Sequence, residues 1–190
     1  MRSGVVALIG MVLALVFILI AFFGPWYSFS YSMGILGEGY ADFGLTGVTA
    51  KMGDETKSIS YDEAESLSTA GVDTDALGVF DHTLYITILA LIFCIIALIG
   101  ILMVWSNGTK MMQNVGMIGG ILTFVFMLVA VIYFMISSFI EGDVGFWFSE
   151  SIMGMEMSGG PGYAWYLMLV GAIIALVSSI MLFIKKPQTA

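Results

Sequence analysis

Four long apolar segments separated by polar ones dominate the pattern of this chain. The apolar segments cover residues 4–23, 84–105, 115–139 and 163–184, and none of them contains Asp, Glu, Lys or Arg. At about 1.5 Å per residue, each segment is long enough as a helix to cross a hydrocarbon core of about 30 Å. The pattern predicts one membrane domain over residues 1–190, built as an all-α four-helix bundle. The first segment exceeds the apolar core typical of a signal peptide, so we expect a retained helix.

The two long polar segments, residues 24–83 and 140–162, show a different pattern. Residues 26–33 read WYSFSYSM, in which large apolar side chains alternate with serine as in a half-buried strand. We predict further extended segments at residues 44–51, 57–61, 144–148 and 151–157, and turns at residues 34–39, 52–55 and 158–162. The resulting prediction is a small antiparallel β-sheet on the outer mouth of the bundle. Three of its strands come from the first polar segment and one or two from the second.

Composition and charge place this chain in a membrane and give it an orientation. The chain is 59% apolar and 11% charged, whereas a soluble domain is about half apolar and about a quarter charged. The termini and the segment between the second and third apolar runs hold four of the 6 basic residues and no acid, a net +4. The two long polar segments hold all 14 acids and the other two basic residues, a net −12. The positive-inside rule therefore predicts a plasma-membrane protein with both termini cytoplasmic and both long loops extracellular.

Few residues of this chain suit catalysis or metal binding. Cys94 is the single cysteine and His82 the single histidine, so an internal disulfide and a multi-histidine metal site are excluded. Because the sequence also contains neither a phosphate-binding loop nor a Ser/His/Asp set, we expect no enzyme activity and no cofactor. The basic residues are few and scattered, which does not suit nucleic-acid binding. Met153, Met155 and Met157 alternate in the second loop, as soft Cu(I) ligands or as ordinary strand filler.

The order of the segments resembles the claudin and peripheral-myelin-protein group of tetraspan membrane proteins. The similarity consists of a long stranded first loop, a shorter second loop, a tight cytoplasmic turn and inward termini. Gly24-Pro25-Trp26 after the first span is similar to the Gly-Leu-Trp of the claudin first loop. Claudins carry two cysteines downstream of that tryptophan, and neither loop of this sequence contains one. The resemblance implies an extracellular sheet that mediates side-by-side or face-to-face protein contacts.

The sequence favours a non-catalytic structural or accessory subunit, or a protein-interaction tetraspan, that acts through its acidic extracellular sheet. We expect it to contact the lipid bilayer and either a protein partner or further copies of itself. The contacts would involve the outer loops and helix faces of small residues. Such small-residue pairs are Gly10 with Ala14, Gly116 with Gly120, and Gly171 with Ala175. Aromatic residues are enriched in interface cores, and the predicted contact residues are Trp147, Phe146, Tyr31 and Tyr40.

Two other functions remain open from the sequence. An acidic outer face concentrates cations, which would suit an oligomeric channel or another ion-handling protein. The methionine run would suit a copper-handling subunit. The four apolar segments contain no ionisable side chain and no proline, so the pattern does not favour a transporter.

Overall fold

Four long helices form the apolar part of this protein. The computed structural model describes residues 2–32, 37–63, 78–107, 110–137, 146–152 and 155–184. Within these ranges the helices are α1 (Arg2–Phe23), α2 (Gly78–Asn107), α3 (Lys110–Ile136) and α4 (Tyr163–Ile184). Each is long and apolar enough to cross a membrane, as in a multi-pass membrane protein. The prediction of four such helices is confirmed.

Helix α2 begins earlier than the hydrophobic pattern indicates, at Gly78 instead of residue 84. Its first turn contains Asp81, where the helix dipole favours a negative charge. The Thr83 hydroxyl donates a 2.7 Å hydrogen bond to the carbonyl oxygen of Val79. The polar residues Asp81, His82 and Thr83 interrupt the apolar run after Val79 and Phe80, so the hydrophobic pattern indicates a start that is too late.

The chain divides into two compact units. The helical unit comprises residues 1–20, 85–131 and 167–190, and the sheet unit comprises residues 21–84 and 132–166. In the helical unit the buried core includes Ala7, Met11 and Ala14, spaced as one face of α1. In the sheet unit the buried core is aromatic and includes Trp26 and Phe134.

Glycines allow the helices of the helical unit to approach closely. A side chain at Gly100 of α2 would collide with the backbone of Gly116 in α3. Gly10 in α1 lies against the Ser178 side chain of α4, and Gly171 of α4 lies against Phe17 of α1. The glycines of the predicted small-residue pairs therefore lie at helix contacts within the chain.

Polar side chains in the helical unit bond to backbone carbonyls. The hydroxyls of Thr123, Ser178 and Ser179 each donate to the carbonyl four residues earlier in their own helix, at 2.7 to 2.8 Å. The Gln113 amide of α3 donates to the Leu182 carbonyl of α4 at 2.7 Å. Because a hydrocarbon core offers no water, such internal bonds remove most of the cost of burying these groups. Among the described residues, the buried Thr87 hydroxyl has no such partner.

Within the described residues, the sheet unit contains one six-stranded antiparallel sheet with the strand order β4-β3-β2-β1-β6-β5. Its strands are β1 (Tyr27–Ser32), β2 (Glu38–Phe43), β3 (Gly47–Met52), β4 (Glu55–Ser60), β5 (Phe148–Ile152) and β6 (Met155–Pro161). Strands β1 to β4 come from the first polar segment, and β5 and β6 come from the second. The central strand β1 pairs with β2 on one side and with β6 on the other. The prediction of an antiparallel sheet built from both segments is confirmed.

Two details of the predicted sheet are wrong. The first segment supplies four strands instead of three, because the pattern predicts no strand at residues 38–43, where β2 begins inside the turn predicted at residues 34–39. The glycine at position 39 lies inside β2 because the Tyr31 side chain of β1 occupies the space that a Cβ atom would need. The turn predicted at residues 158–162 is mostly strand, since β6 continues to Pro161 and pairs with β1. Proline fits there because β5 ends its pairing with β6 at Gly159.

Other turn and strand predictions have mixed outcomes. The predicted turn at residues 52–55 is confirmed, since Gly53 and Asp54 connect β3 to β4 and Gly53 has a φ of 59°. Of the strand predicted at residues 144–148, only Phe148 belongs to β5, and residues 144–145 lie outside the described ranges. The segment 151–157 contains the end of β5 and the start of β6, with residues 153–154 outside the described ranges.

We predict that Gly100→Ala destabilises the protein although alanine favours helices more than glycine does. At an unconstrained helix position this change would add about 1 kcal/mol of stability. Here the new methyl group meets the Gly116 backbone, so α2 and α3 must separate at a cost of about 1–3 kcal/mol. The matched control is Ile99→Ala, which puts alanine at a neighbouring position that is 50% exposed. Thermal unfolding in detergent measures both, and equal midpoints for the two variants would contradict the close approach.

Candidate functional site: the hydroxyl face of the sheet

The two faces of the sheet differ sharply in chemistry. Side chains alternate between faces along a strand, and residues directly opposite each other on neighbouring strands share a face. The aromatic face carries Tyr27, Phe29 and Tyr31 of β1, with Phe43, Val48, Ile59, Phe148 and Met157 on the neighbouring strands, and its edge strands add the charged residues Glu55, Lys57 and Glu150. The other face, which we call the hydroxyl face, carries Ser28, Ser30, Ser32, Glu38, Tyr40, Asp42, Thr49, Lys51, Thr56, Ser58, Ser149, Ser151, Glu156 and Ser158.

Cross-strand hydrogen bonds organise the hydroxyl face. The Ser28 hydroxyl donates to Asp42 Oδ1 at 2.7 Å and so links β1 to β2. The hydroxyl oxygens of Ser30 and Ser158 are 2.8 Å apart across β1 and β6. Those of Thr49 and Ser58 are 2.9 Å apart across β3 and β4. These short side chains are held by their neighbours, and a ligand would meet a surface whose polar groups are already positioned.

A depression of 490 Å³ lies at one end of strands β1, β2 and β6, and it is lined mostly by residues of the hydroxyl face together with Tyr31 and Met157 of the aromatic face. Its lining combines the phenol of Tyr40 and the ammonium of Lys51 with the carboxylates of Glu38 and Glu156. Tyr40 is 38% exposed and is the one large aromatic side chain on this face among the residues of the six strands. The depression can therefore offer an aromatic surface, hydroxyl donors and acceptors, and charges of both signs within one small area.

An aromatic cluster holds the sheet unit together from within. The Trp26 and Phe134 rings meet edge to face with centroids 5.3 Å apart, and Phe134 makes the same type of contact with Phe80. Phe80 also stacks on Phe43 of β2 at 6.1 Å. Such aromatic pairs contribute about 0.5–1.5 kcal/mol each beyond the area that they bury. The cluster fixes the strands whose opposite side forms the hydroxyl face.

Burial in this unit raises the pKa values of two tyrosines. The pKa of Tyr27 rises to about 12 because the buried phenol is poorly solvated when ionised. The pKa of Tyr61 also rises, first because of burial and second because of the nearby charge of Asp81. The Tyr61 hydroxyl donates to the Gly44 carbonyl at 2.8 Å. Both phenols are therefore neutral at physiological pH and serve the core of the unit.

The four predicted contact residues lie in different environments. Phe146 is half-buried in the aromatic cluster, with its ring centroid 5.9 Å from Tyr27 and 6.0 Å from Phe134. Trp147 is 55% exposed, and its ring lies over Gly160. Tyr31 belongs to the aromatic face and Tyr40 to the hydroxyl face. The structure thus brings Phe146 and Trp147 together, with centroids 4.7 Å apart, and assigns the two tyrosines to opposite faces.

Sequence reasoning did not identify the serines and charges of the hydroxyl face as one surface. The signal was present in the alternating serines of YSFSYS, which must all point to the side opposite the aromatic residues. Lys51 and Glu156 gave no local signal, because only the strand order brings β3 and β6 to the two sides of β1 and β2.

The methionine run is only partly within the described residues. Met155 and Met157 are half-buried on β6, and Met153 lies outside the described ranges. Met157 pairs with Tyr31 of β1 and thus belongs to the aromatic face. Within the described ranges there is no group of three or more His, Cys, Asp or Glu side chains placed to hold a metal ion.

Comparisons with protein-family models and with curated protein sequences give no match for this chain.

We predict that Phe146→Ala lowers stability more than Trp147→Ala does. The Phe146 ring contacts the rings of Tyr27, Phe134 and Trp165, so its removal leaves a cavity in the cluster. Buried Phe→Ala changes cost about 3–5 kcal/mol, and a half-buried ring should cost about half of that. Trp147 is more exposed, and its loss should cost about 1 kcal/mol or less. Thermal unfolding of both variants measures the difference, and a larger loss for Trp147→Ala would contradict this assignment.

Proposed function

We propose that the protein is a non-catalytic structural or accessory subunit of the plasma membrane that binds another protein through the hydroxyl face of its sheet. The sheet is extracellular and both termini are cytoplasmic. Support for this orientation comes from the charge distribution, net +4 on the terminal side and −12 on the loop side. Support for the membrane location comes from four helices of sufficient length and hydropathy.

The observation that carries the proposal is the composition of the hydroxyl face. Tyrosine surrounded by serine is a combination typical of protein-binding surfaces, as in antibody paratopes. A tyrosine ring gives a large contact area at a low cost in side-chain entropy, while serine hydroxyls adapt as donors or acceptors. Tyr40 is placed between Ser30 of β1 and Lys51 of β3, each directly opposite it on a neighbouring strand.

The charged residues of the hydroxyl face indicate which kind of protein it would bind. Glu38, Asp42 and Glu156 outnumber Lys51, so the face is acidic overall. A partner with a basic patch would complement it, and association should slow as ionic strength rises. The carboxylate of Asp42 already accepts a bond from Ser28, which makes Glu38 and Glu156 the acids that are more available to a partner.

The channel alternative would require a pore between copies of the chain. Large side chains such as Met11, Met127 and Met168 are fully buried inside the helical unit. The hydroxyls of Thr123, Ser178 and Ser179 are bonded to their own helices and are not arranged as a polar lumen. These contacts support a filled bundle, and the copper alternative gains no described ligand beyond Met155 and Met157.

The relationship to the claudin and peripheral-myelin-protein group is part of the same proposal. It is supported by the sheet that joins both loops and by the burial of Trp26 in Gly24-Pro25-Trp26. Trp26 is 0% exposed. A tryptophan after the first span thus has a structural role here that does not depend on a disulfide in the loops.

We predict that a foreign protein binds the hydroxyl face and depends on Tyr40. A tagged chain captured from native membranes in mild detergent should retain a stoichiometric partner, identified by mass spectrometry. Tyr40→Ala should weaken this complex at least about tenfold, as for an interface residue worth about 1.4 kcal/mol or more. The matched control is Tyr163→Ala, an aromatic residue of α4 that is 56% exposed and lies off the sheet. Recovery of the chain without any foreign partner, or equal binding by both variants, would contradict the proposal.

We predict the orientation of the chain from chemical labelling of single cysteines. In a Cys94→Ala background, Thr56→Cys on exposed β4 should react with a membrane-impermeant maleimide in intact cells. Lys110→Cys, exposed at the start of α3, should react only after permeabilisation. The reverse pattern would place the sheet in the cytoplasm and would exclude an extracellular partner.

A further inference from the structure

The two edge strands of the sheet run in the directions that antiparallel pairing between two copies requires. Strands alternate in direction throughout the order β4-β3-β2-β1-β6-β5, since all five pairings are antiparallel. The edge strands β4 and β5 therefore run in opposite directions. A second copy that placed its β4 beside β5 of the first would continue the antiparallel alternation without interruption. Both edge strands are mostly exposed and free of proline, and an exposed edge is a template for further pairing.

The outward backbone groups of the two edges can be assigned from their hairpins. Met52 and Glu55 flank the two-residue turn between β3 and β4, and such a closing pair exchanges backbone hydrogen bonds. By alternation, Lys57 and Ile59 also bond to β3, and the bond from Tyr61 N to Thr46 O follows the same alternation. The backbone groups of Thr56 and Ser58 therefore point away from the sheet.

The same reasoning applies to β5. Ile152 and Met155 form the pair of the β5–β6 ladder that lies closest to the connection between the two strands. This closing pair and the alternate positions Glu150 and Phe148 bond to β6. The backbone groups of Ser149 and Ser151 therefore point outward. The outward positions thus bear hydroxyl side chains on both edges: Thr56, Ser58 and Ser60 on β4, and Ser149 and Ser151 on β5.

We propose that the protein self-associates by pairing β5 of one copy with β4 of a second copy in a single antiparallel register. In this register the outward positions oppose each other, Ser149 with Ser58 and Ser151 with Thr56. On the aromatic face, the same register places Glu150 opposite Lys57 and Phe148 opposite Ile59. Hydroxyl positions therefore oppose each other on one face, and on the other face an ion pair and an apolar pair lie beside a third pair, Ile152 opposite Glu55.

Charge favours this register over the two registers that are shifted by two residues in either direction. A shift by two residues keeps the outward backbone groups aligned, so two alternative registers need comparison. One shift places Glu150 opposite Glu55, which puts like charges directly across the interface and is unfavourable. The other shift places Glu150 opposite Ile59 and leaves Lys57 without its acidic partner. Pairing of β5 with β5 about its centre would oppose Glu150 to itself, which disfavours that arrangement.

The contact is heterologous, because two different edges meet. Each copy keeps one free β4 and one free β5, so association continues until a ring closes or a filament forms. This inference concerns the edges of the sheet and is independent of the partner proposed for the hydroxyl face.

Disulfide trapping of purified protein in detergent tests the register directly. In a Cys94→Ala background, Ser58→Cys and Ser149→Cys are introduced together in one chain. A hydrogen-bonded antiparallel pair separates Cα atoms by about 5.5 Å, within disulfide range. We expect mild oxidation to give a ladder of multimers on a non-reducing gel. The off-register control combines Thr56→Cys with Ser149→Cys, whose Cα atoms would be about 8 Å apart and too distant to bridge. Absence of multimers, or equal yields from both pairs, would overturn the proposal.

Charge reversal supplies the second test, with folding checked by circular dichroism. Glu150→Lys in the trapped variant should reduce the yield of multimers about tenfold, because it opposes two lysines. Adding Lys57→Glu should restore the yield by exchanging the two charges. The matched control Glu156→Lys makes the same change in net charge on the interior strand β6 and should leave the yield unchanged. Failure of the double exchange to restore multimers would also overturn the proposed register.

Discussion

The buried indole of Trp26 fixes the point where several segments of the sheet unit meet. Its Nε1 donates to the Ala21 carbonyl in the last turn of α1 at 2.8 Å, while its backbone N–H donates to the Phe43 carbonyl of β2 at 2.7 Å. Its carbonyl accepts a bond from Gly162 N at 2.9 Å, next to the start of α4. A helix end, a central strand and the approach to another helix are thus set by one residue. The strand register, and with it the hydroxyl face and both edges, depends on this junction.

The two faces of the sheet have different roles. Large rings on one side supply the cohesion of the unit, and small hydroxyls on the other side leave the surface flat and polar. A sheet with one solvated face commonly alternates in this way. Here the alternation is strict along β1, where three serines separate three aromatic residues. The stability of the sheet unit and its binding of a partner can therefore change independently, since substitutions at Ser30 or Tyr40 leave the aromatic cluster intact.

The sequence predicted the helices well because an apolar run of about 20 residues has few alternatives in a protein. It located β1, β3 and β4 by alternation and by the Gly53-Asp54 turn. It missed β2 because a glycine at position 39 is typical of a turn. The structure shows instead that this glycine leaves room for the Tyr31 side chain on the neighbouring strand. Sequence reasoning also mistook residues 158–162 for a turn, since Gly159 and Gly160 are strand residues only by virtue of pairing with β1. The hydroxyl face and the matched edges depend on strand order, which local patterns do not contain.

The position of β6 beside β1 has a consequence for the order in which the protein is made. Ser30 and Ser158, which meet across these strands, are 128 residues apart in the chain. When the first loop has been synthesised, β1 has β2 beside it and an open side where β6 will later lie. The ribosome must still produce two further membrane helices before that side is filled. During this interval the open side of β1 presents unpaired backbone groups, so β1 is vulnerable to mispairing until β6 is made.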